Sequence, residues 1–248
     1  MDNTNERVKA LRRVAVRFSG DSGDGMQLAG NIFTNVSAGL GNSVSTFPDY
    51  PAEIRAPQGS LGGVSGFQVS IGAGVHTPGD ECDVLVAMNP AALKQNYKFL
   101  RRGGVIITDI DSFTPEGLKK ARFATGDAVA ELGISAQVVE VPVTSMTKAA
   151  LADSGMDVKS VLKCRNIFAL GLLCWLFDRP LEHVTAMLRA KFTRNRQCSR
   201  LMPKCSGPAT TMATISMPRC RPTAWRPMKS ARASTPMSRA TRPRPTAL

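Results

Sequence analysis

Gly20, Gly23, Gly25 and Gly30 fall within eleven residues, "GDSGDGMQLAG", directly after the first apolar run, with Asp21 and Asp24 among them. A strand, then glycines, then a helix is the context in which phosphates are bound. Glycine lets backbone N–H groups approach the anion, and the helix N-terminus supplies partial positive charge. The spacing is G-x-x-G-x-G with a further glycine five on, which departs from the dinucleotide pattern G-x-G-x-x-G. No Lys-Ser or Lys-Thr follows, so it is not a P-loop. Asp21 and Asp24 would repel a diphosphate unless they faced away. Asp49 stands at about the separation of a ribose-binding acid, but between Pro48 and the Tyr50-Pro51 turn. A tight turn that needs glycine for packing alone accounts for the same residues.

Other chemistry-bearing residues are few. Glu53 and Arg55 sit in a Pro/Gly-rich stretch, residues 48–63, as an anion clamp or as a solvated pair. Asp109 ends an apolar run two residues before Asp111, the position of a ligand contact or of a helix cap. Cys82, Cys164 and Cys174 lie in apolar runs and read as buried, reduced thiols. Cys198, Cys205 and Cys220 have no metal-ligand spacing, and no C-x-x-C occurs. With only His76 and His183 available, a histidine-built metal site or triad is not expected, and no nucleophile–base pair follows from spacing.

The elements that must position these residues alternate. Residues 12–18, 42–47, 64–72, 81–89, 104–109 and 136–143 read as strands, and 26–41, 90–103, 163–177 and 179–192 as helices. The helix over 163–177 is apolar nearly all round and should be buried, with Trp175 in its core stripe. The expected fold is α/β, a Rossmann-like, mainly parallel sheet with helices on both faces. No run of about 18 apolar residues and no secretory h-region in "MDNTNERVKALRR" point to a cytoplasmic protein.

Charge divides the chain. Of the formal net charge of +13, residues 193–248 carry 12, with 12 Lys and Arg and no acid, whereas 1–192 hold 20 basic and 19 acidic residues. The last 56 residues also hold 8 of the 16 prolines and no helical or strand period, so this basic tail should be disordered. The basic pI therefore describes the tail alone.

Several segments together resemble the 2-oxoacid:ferredoxin oxidoreductases. They are "SGDSGDGMQLAG", "FPDYPAEIRAPQGSLGGVSGFQVSIG", "DVLVAMNPAALKQNYKFLRRGGVIITD", "VPVT" and "CRNIFALGLLCWLFDRPLE", in order over roughly 16–192. The likeness is to the gamma-type domain, which in the 2-oxoglutarate enzymes resembles the N-terminal part of the alpha subunit. It implies a gamma-type domain over 13–192, after a polar segment 1–12. It also implies an enzyme that oxidatively decarboxylates a 2-oxoacid, with coenzyme A, to acyl-CoA and CO2, with ferredoxin as acceptor. Thiamine diphosphate, Mg2+ and iron–sulfur clusters would then belong to other domains or subunits, so no catalytic residue and no metal ligand is assigned to this chain. Its partners would be a beta subunit and a downstream alpha-subunit domain, with ferredoxin reached indirectly. Neither a membrane nor a specific nucleic acid is implied, and the chain would be inactive alone. By this resemblance Gly20, Gly23 and Gly25 face a coenzyme A phosphate, with Arg55 as cationic neighbour. A nucleotide-binding module of an NAD-dependent dehydrogenase, or a structural assembly domain, remain alternatives.

The resemblance stops after Phe192, where relatives continue with a lysine-rich linker and a "GYNYGD"-like stretch. Codons for Leu201–Thr214, read two bases out of phase, permit "NAKVLRAGYNYGD", with the Met–Ala junction forcing glycine. The tail is accordingly expected to be frameshifted sequence. Resequencing the coding DNA from codon 185 onward should show the shifted frame running open into a further domain. Early stops in that frame would instead make a native basic arm, with salt-dependent nucleic-acid binding that disappears on deletion of 193–248.

Overall fold

The computed structural model describes residues 10–53, 56–177, 179–191 and 226–227. Chain order is β1 (Ala10–Leu11), β2 (Arg13–Asp21), α1 (Met26–Gly39), β3 (Ser43–Asp49), β4 (Val64–Gly72), β5 (Cys82–Ala87), α2 (Pro90–Asn96) and β6 (Leu100–Asp109). Then come α3 (Pro115–Lys120), α4 (Ala128–Glu131), β7 (Gln137–Val141), α5 (Val143–Ala150), α6 (Val158–Leu162), α7 (Arg165–Leu176), α8 (Leu181–Lys191) and β8 (Arg226–Pro227). β1 and β8 form a two-residue parallel pair. Arg226–Pro227 apart, the expected disordered tail lies outside the described residues.

Strand alternation sorts the core into two layers. Val14, Val16 and Phe18 of β2, Val84 and Val86 of β5, and Val105 and Ile107 of β6 point to one face, where α1, α5, α7 and α8 cover them. Ala15, Leu85, Ala87 and Ile106 point to the other, against α2, α3 and α4. Phe33 of α1 bridges Phe18, at 6.0 Å between ring centroids, and Phe177, at 5.7 Å. Residues 166–174 of α7 are all buried, as its apolar run requires, while Trp175 packs half-buried at the margin. Cys82, Cys164 and Cys174 are buried as thiols and not as disulfides.

The six-stranded sheet has the order β3-β4-β2-β5-β6-β7. The β2–β5, β5–β6 and β6–β7 pairings are parallel, whereas β4 runs antiparallel to both β3 and β2. The sheet is therefore mixed and mostly parallel, a Rossmann-like arrangement. Several boundaries differ from expectation, and β2 runs on past Phe18 to Asp21, so Gly20 is strand and not loop. The helix expected over 90–103 ends at Asn96, and a short 3-10 turn delivers Leu100 to β6, so "LRRG" is strand. β3 runs through Pro48 to Asp49, which is tolerated because β3 is an edge strand. The strand expected to reach residue 143 stops at Val141, since Pro142 and Val143 open α5.

One buried cation ties the antiparallel edge to the parallel half. Arg17, 4% exposed in β2, donates from Nε to Asn96 Oδ1 at 2.6 Å and from Nη1 to Gln68 Oε1 at 3.2 Å. Its Nη2 forms a short ion pair with Asp49, and its guanidinium lies 4.6 Å from the Phe99 ring centroid. Asp49 is thus committed to the sheet. The expectation of a ribose-binding acid at Asp49 gives way to this pairing, because a guanidinium buried this deeply needs a carboxylate beside it.

α1 and β4 approach each other closely at Gly30. A Cβ on Gly30 would lie 2.2 Å from Phe67 Cδ1, whereas one on Gly39, at the end of the same helix, meets nothing within 4 Å. Gly30→Ala should lower stability by about 1–3 kcal/mol through overpacking, outweighing the helix-propensity gain. Gly39→Ala should be neutral or stabilising. Urea unfolding of the two variants checks this, and equal midpoints would refute it.

Candidate functional site

The cleft lies where the chain reverses its winding. It leaves β2 through α1 over one face and β5 through α2 over the other, so the carboxyl ends of these two parallel neighbours diverge. Such a switch point is where open α/β sheets place ligands. A cleft of about 210 Å3 opens there, and Asp21, Asp24, Gly59, Asn89, Lys120 and Arg165 are among its lining residues.

Asp21 and Asp24 line the cleft from the turn between β2 and α1, whereas Gly20, Gly23 and Gly25 are not among its lining residues. Gly25, φ +76°, caps α1 with no side-chain hydrogen bond of its own. A Cβ there would lie 2.3 Å from Asn166 Nδ2, which donates to Gly25 O at 3.0 Å. Asn166 belongs to the first turn of α7, 141 residues onward, and its Oδ1 is buried without a hydrogen-bond partner. Beside it, Arg165 Nη2 pairs with Asp24 Oδ1 at 2.7 Å and Nη1 reaches Thr144 Oγ1 at 3.4 Å. Asp24 therefore does line the cleft, but with its charge matched by Arg165. Gly23 has φ +109°, with open space where a side chain would stand, and Gly20 lies against Met26 and Met88.

Asp21 holds the floor. Its Oδ2 accepts from Gly59 N at 2.9 Å and its Oδ1 from Asn89 Nδ2 at 2.9 Å. Burial, reinforced by the neighbouring Asp24, pushes its carboxyl up from the usual range, and these two donors partly offset the rise. Asn89 Oδ1 in turn accepts from Ala92 N at 2.8 Å, the N-cap of α2 ahead of Pro90. Asp109, 1% exposed, accepts from Thr144 N at 3.2 Å and Thr144 Oγ1 at 2.6 Å, and burial raises its carboxyl as well. Asp111 accepts from Ser145 N at 2.6 Å and Ser145 Oγ at 2.9 Å. Neither aspartate is an N-cap residue: α5 opens on Pro142, and the two carboxylates reach across from the end of β6 to accept from N–H groups of its first turn.

Arg55 lies outside the described residues, so its place relative to the glycines is an expectation. Glu53 folds back over Gly62, with Glu53 N donating to Gly62 O at 3.0 Å. Sequence reasoning missed Asn89, Lys120, Arg165 and Asn166. The polar pair Arg165-Asn166, standing directly before "IFALGLLCWL", was the available signal for two of them. Burial pushes the Cys82 and Cys174 thiols up to about 12, so neither is a thiolate nucleophile at neutral pH. Among the described residues, no group of three His, Cys, Asp or Glu side chains stands together as a metal site. Among them, too, no helix is long and apolar enough to cross a membrane. What the cleft offers is hydrogen bonding, the exposed Lys120 and an Arg165 already paired with Asp24, beside the carboxylates of Asp21 and Glu116.

Comparison with known proteins places this geometry. A family model described as pyruvate ferredoxin/flavodoxin oxidoreductase matches residues 15–201. Over 187 residues the chain is 49% identical to the 2-oxoglutarate oxidoreductase subunit KorA of Mycobacterium tuberculosis, covering 74% of this chain and 28% of that protein. The chain thus spans little more than a quarter of that relative's length. The solved 2-oxoglutarate:ferredoxin oxidoreductase from Magnetococcus marinus, with 2-oxoglutarate, coenzyme A and succinyl-CoA bound, shares the fold. Its TM-score is 0.67 at 22% identity, over 89% of this chain and 34% of that one. The gamma subunit of a keto/oxoacid ferredoxin oxidoreductase from Geobacter sulfurreducens matches with a TM-score of 0.55 at 24% identity, over 81% of this chain and 98% of its own. With about three quarters of its length inside the family model, the chain belongs to the pyruvate ferredoxin/flavodoxin oxidoreductase family.

Proposed function

We propose that this chain supplies the gamma-type domain, residues 13–192, of a 2-oxoglutarate:ferredoxin oxidoreductase. In that role its cleft helps enclose coenzyme A. The observation that carries the reading is the 49% identity to the mycobacterial 2-oxoglutarate oxidoreductase subunit. The reaction is oxidative decarboxylation of the 2-oxoacid to acyl-CoA and CO2, with ferredoxin taking the electrons. Thiamine diphosphate and iron–sulfur clusters, which supply the carbanion and electron-transfer chemistry, reside in this reading on a downstream alpha-subunit domain and a beta subunit. This chain alone is inactive, and residues 193–248 carry no part of the function.

The chain's own residues bind and orient. Gly20, Gly23 and Gly25 let the loop backbone approach a coenzyme A phosphate, Arg55 supplies a cation, and the exposed Lys120 adds charge at the cleft. Pairing with Asp24 keeps Arg165 extended into the cleft, so less side-chain entropy is lost on binding. Asp49, engaged by Arg17, leaves the NAD-type reading without its ribose acid.

Calorimetric titration of the full chain should show heat for coenzyme A and none for NADH. Tight NADH binding alone would overturn the reading. Reconstituted with its partner subunit and the downstream domain, the chain should support viologen reduction that requires both 2-oxoglutarate and coenzyme A. In that complex Arg55→Ala should raise KM for coenzyme A about tenfold, the scale of one charge-assisted hydrogen bond. An unchanged KM would remove Arg55 from the site.

A further inference from the structure

We propose that Asp21 is a positioning residue of the cleft, a carboxylate strut that sets the spacing between the Gly59 rim and the mouth of α2 for a coenzyme A-class ligand. The inference rests on the reading of the cleft as a coenzyme A site. Three cleft-lining groups from three segments meet at this one side chain: the end of β2, the returning loop at Gly59, and Asn89 at the end of β5. No other side chain bonds Gly59 N to the sheet among the described contacts.

The polarity of this junction is one-way. Gly59 N–H is a donor, so it needs an acceptor on Asp21. Asn89 has no freedom either. Its Oδ1 is spent on Ala92 N at 2.8 Å, so only its Nδ2 can face Asp21. Both partners therefore donate, and only an ionised carboxylate, acceptor on both oxygens, satisfies them together. An amide at position 21 would set NH2 against NH2, or, turned over, NH2 against Gly59 N–H. Either way one joint opens and one cleft wall is released from the other. Asp24 and Arg165 are matched to each other at 2.7 Å and cannot replace it.

The same geometry prescribes the rescue. Asn89→Asp places a carboxylate whose one oxygen still accepts from Ala92 N–H and whose other oxygen can accept from an amide at position 21. Aspartate is as good an N-cap as asparagine, so the exchange leaves α2 capped. Asp21→Asn combined with Asn89→Asp thus rebuilds the strut with its polarity reversed, while Asn89→Asp alone sets two carboxylates face to face.

Calorimetric titration of coenzyme A into the full chain, with thermal unfolding in parallel, tests this on the parent, both single variants and the double variant. Asp21→Asn should weaken coenzyme A binding about tenfold, and the double variant should return to within about threefold of the parent. Asp21→Asn binding as tightly as the parent would overturn the proposal, as would a double variant no tighter than the single. These outcomes leave the coenzyme A reading standing. A parent chain that takes up no coenzyme A overturns that reading, and the strut's role with it.

Discussion

A single buried guanidinium dictates how half of this domain is assembled. Arg17 sits in the middle of the central strand, where solvation is unavailable, so its charge and donors must be met by protein. The partners come from four places: Asp49 at the end of β3, Gln68 in β4, Asn96 at the end of α2 and the Phe99 ring after it. Stripping one partner from a buried charge costs about 3–5 kcal/mol, so register and helix length are fixed together. Asn96 completes the set by donating to Ser19 Oγ at 2.7 Å and to Ala92 O at 3.0 Å. The end of α2 is set by this polar demand, not by helix propensity. That is the physical reason the chain turns at Asn96 and enters β6 four residues earlier than a glycine stop at Gly103 suggests.

The cleft follows from the same frame. With β2 and β5 held as parallel neighbours and their helices on opposite faces, their carboxyl ends must part, and Asp21, Asp24, Asn89 and Gly59 are left facing the gap. α7 then closes the wall through Arg165 and Asn166. Burial raises the carboxyl groups of Asp21 and Asp109, yet each is held by two or more donors, so neither is a free acid in search of a role. The carboxylates around the glycines, which looked hostile to a phosphate, are the groups that fasten the loop.

Local pattern made the layers legible. Alternation in "RRVAVRF" and "VSGFQVSIG", the apolar run of α7 and the opening of α2 at Pro90 each depend on neighbours a few residues away, and each element formed over the expected stretch. The antiparallel direction of β4, the Arg17–Asp49 pairing and the reach of Asp109 to Thr144 were not legible, because they are settled by partners 17 to 59 residues distant. The glycine loop was visible as a candidate, but half of its wall was not. Lys120, Arg165 and Asn166 gain meaning only when the sheet brings α3 and α7 beside a turn near the start of the chain. Resemblance supplied what periodicity could not, since it carries the outcome of those distant pairings in its motifs.

The bond between Asn166 and Gly25 joins residues 141 positions apart. During synthesis the sheet strands from β2 to β6 emerge long before α7 exists, and they already contain every glycine of the loop. The contact that Gly25 makes with Asn166 is therefore absent until the ribosome has delivered residue 166. The turn is among the first parts of this domain to be made, and a nascent chain interrupted before α7 would carry the glycine motif without the helix that packs on it.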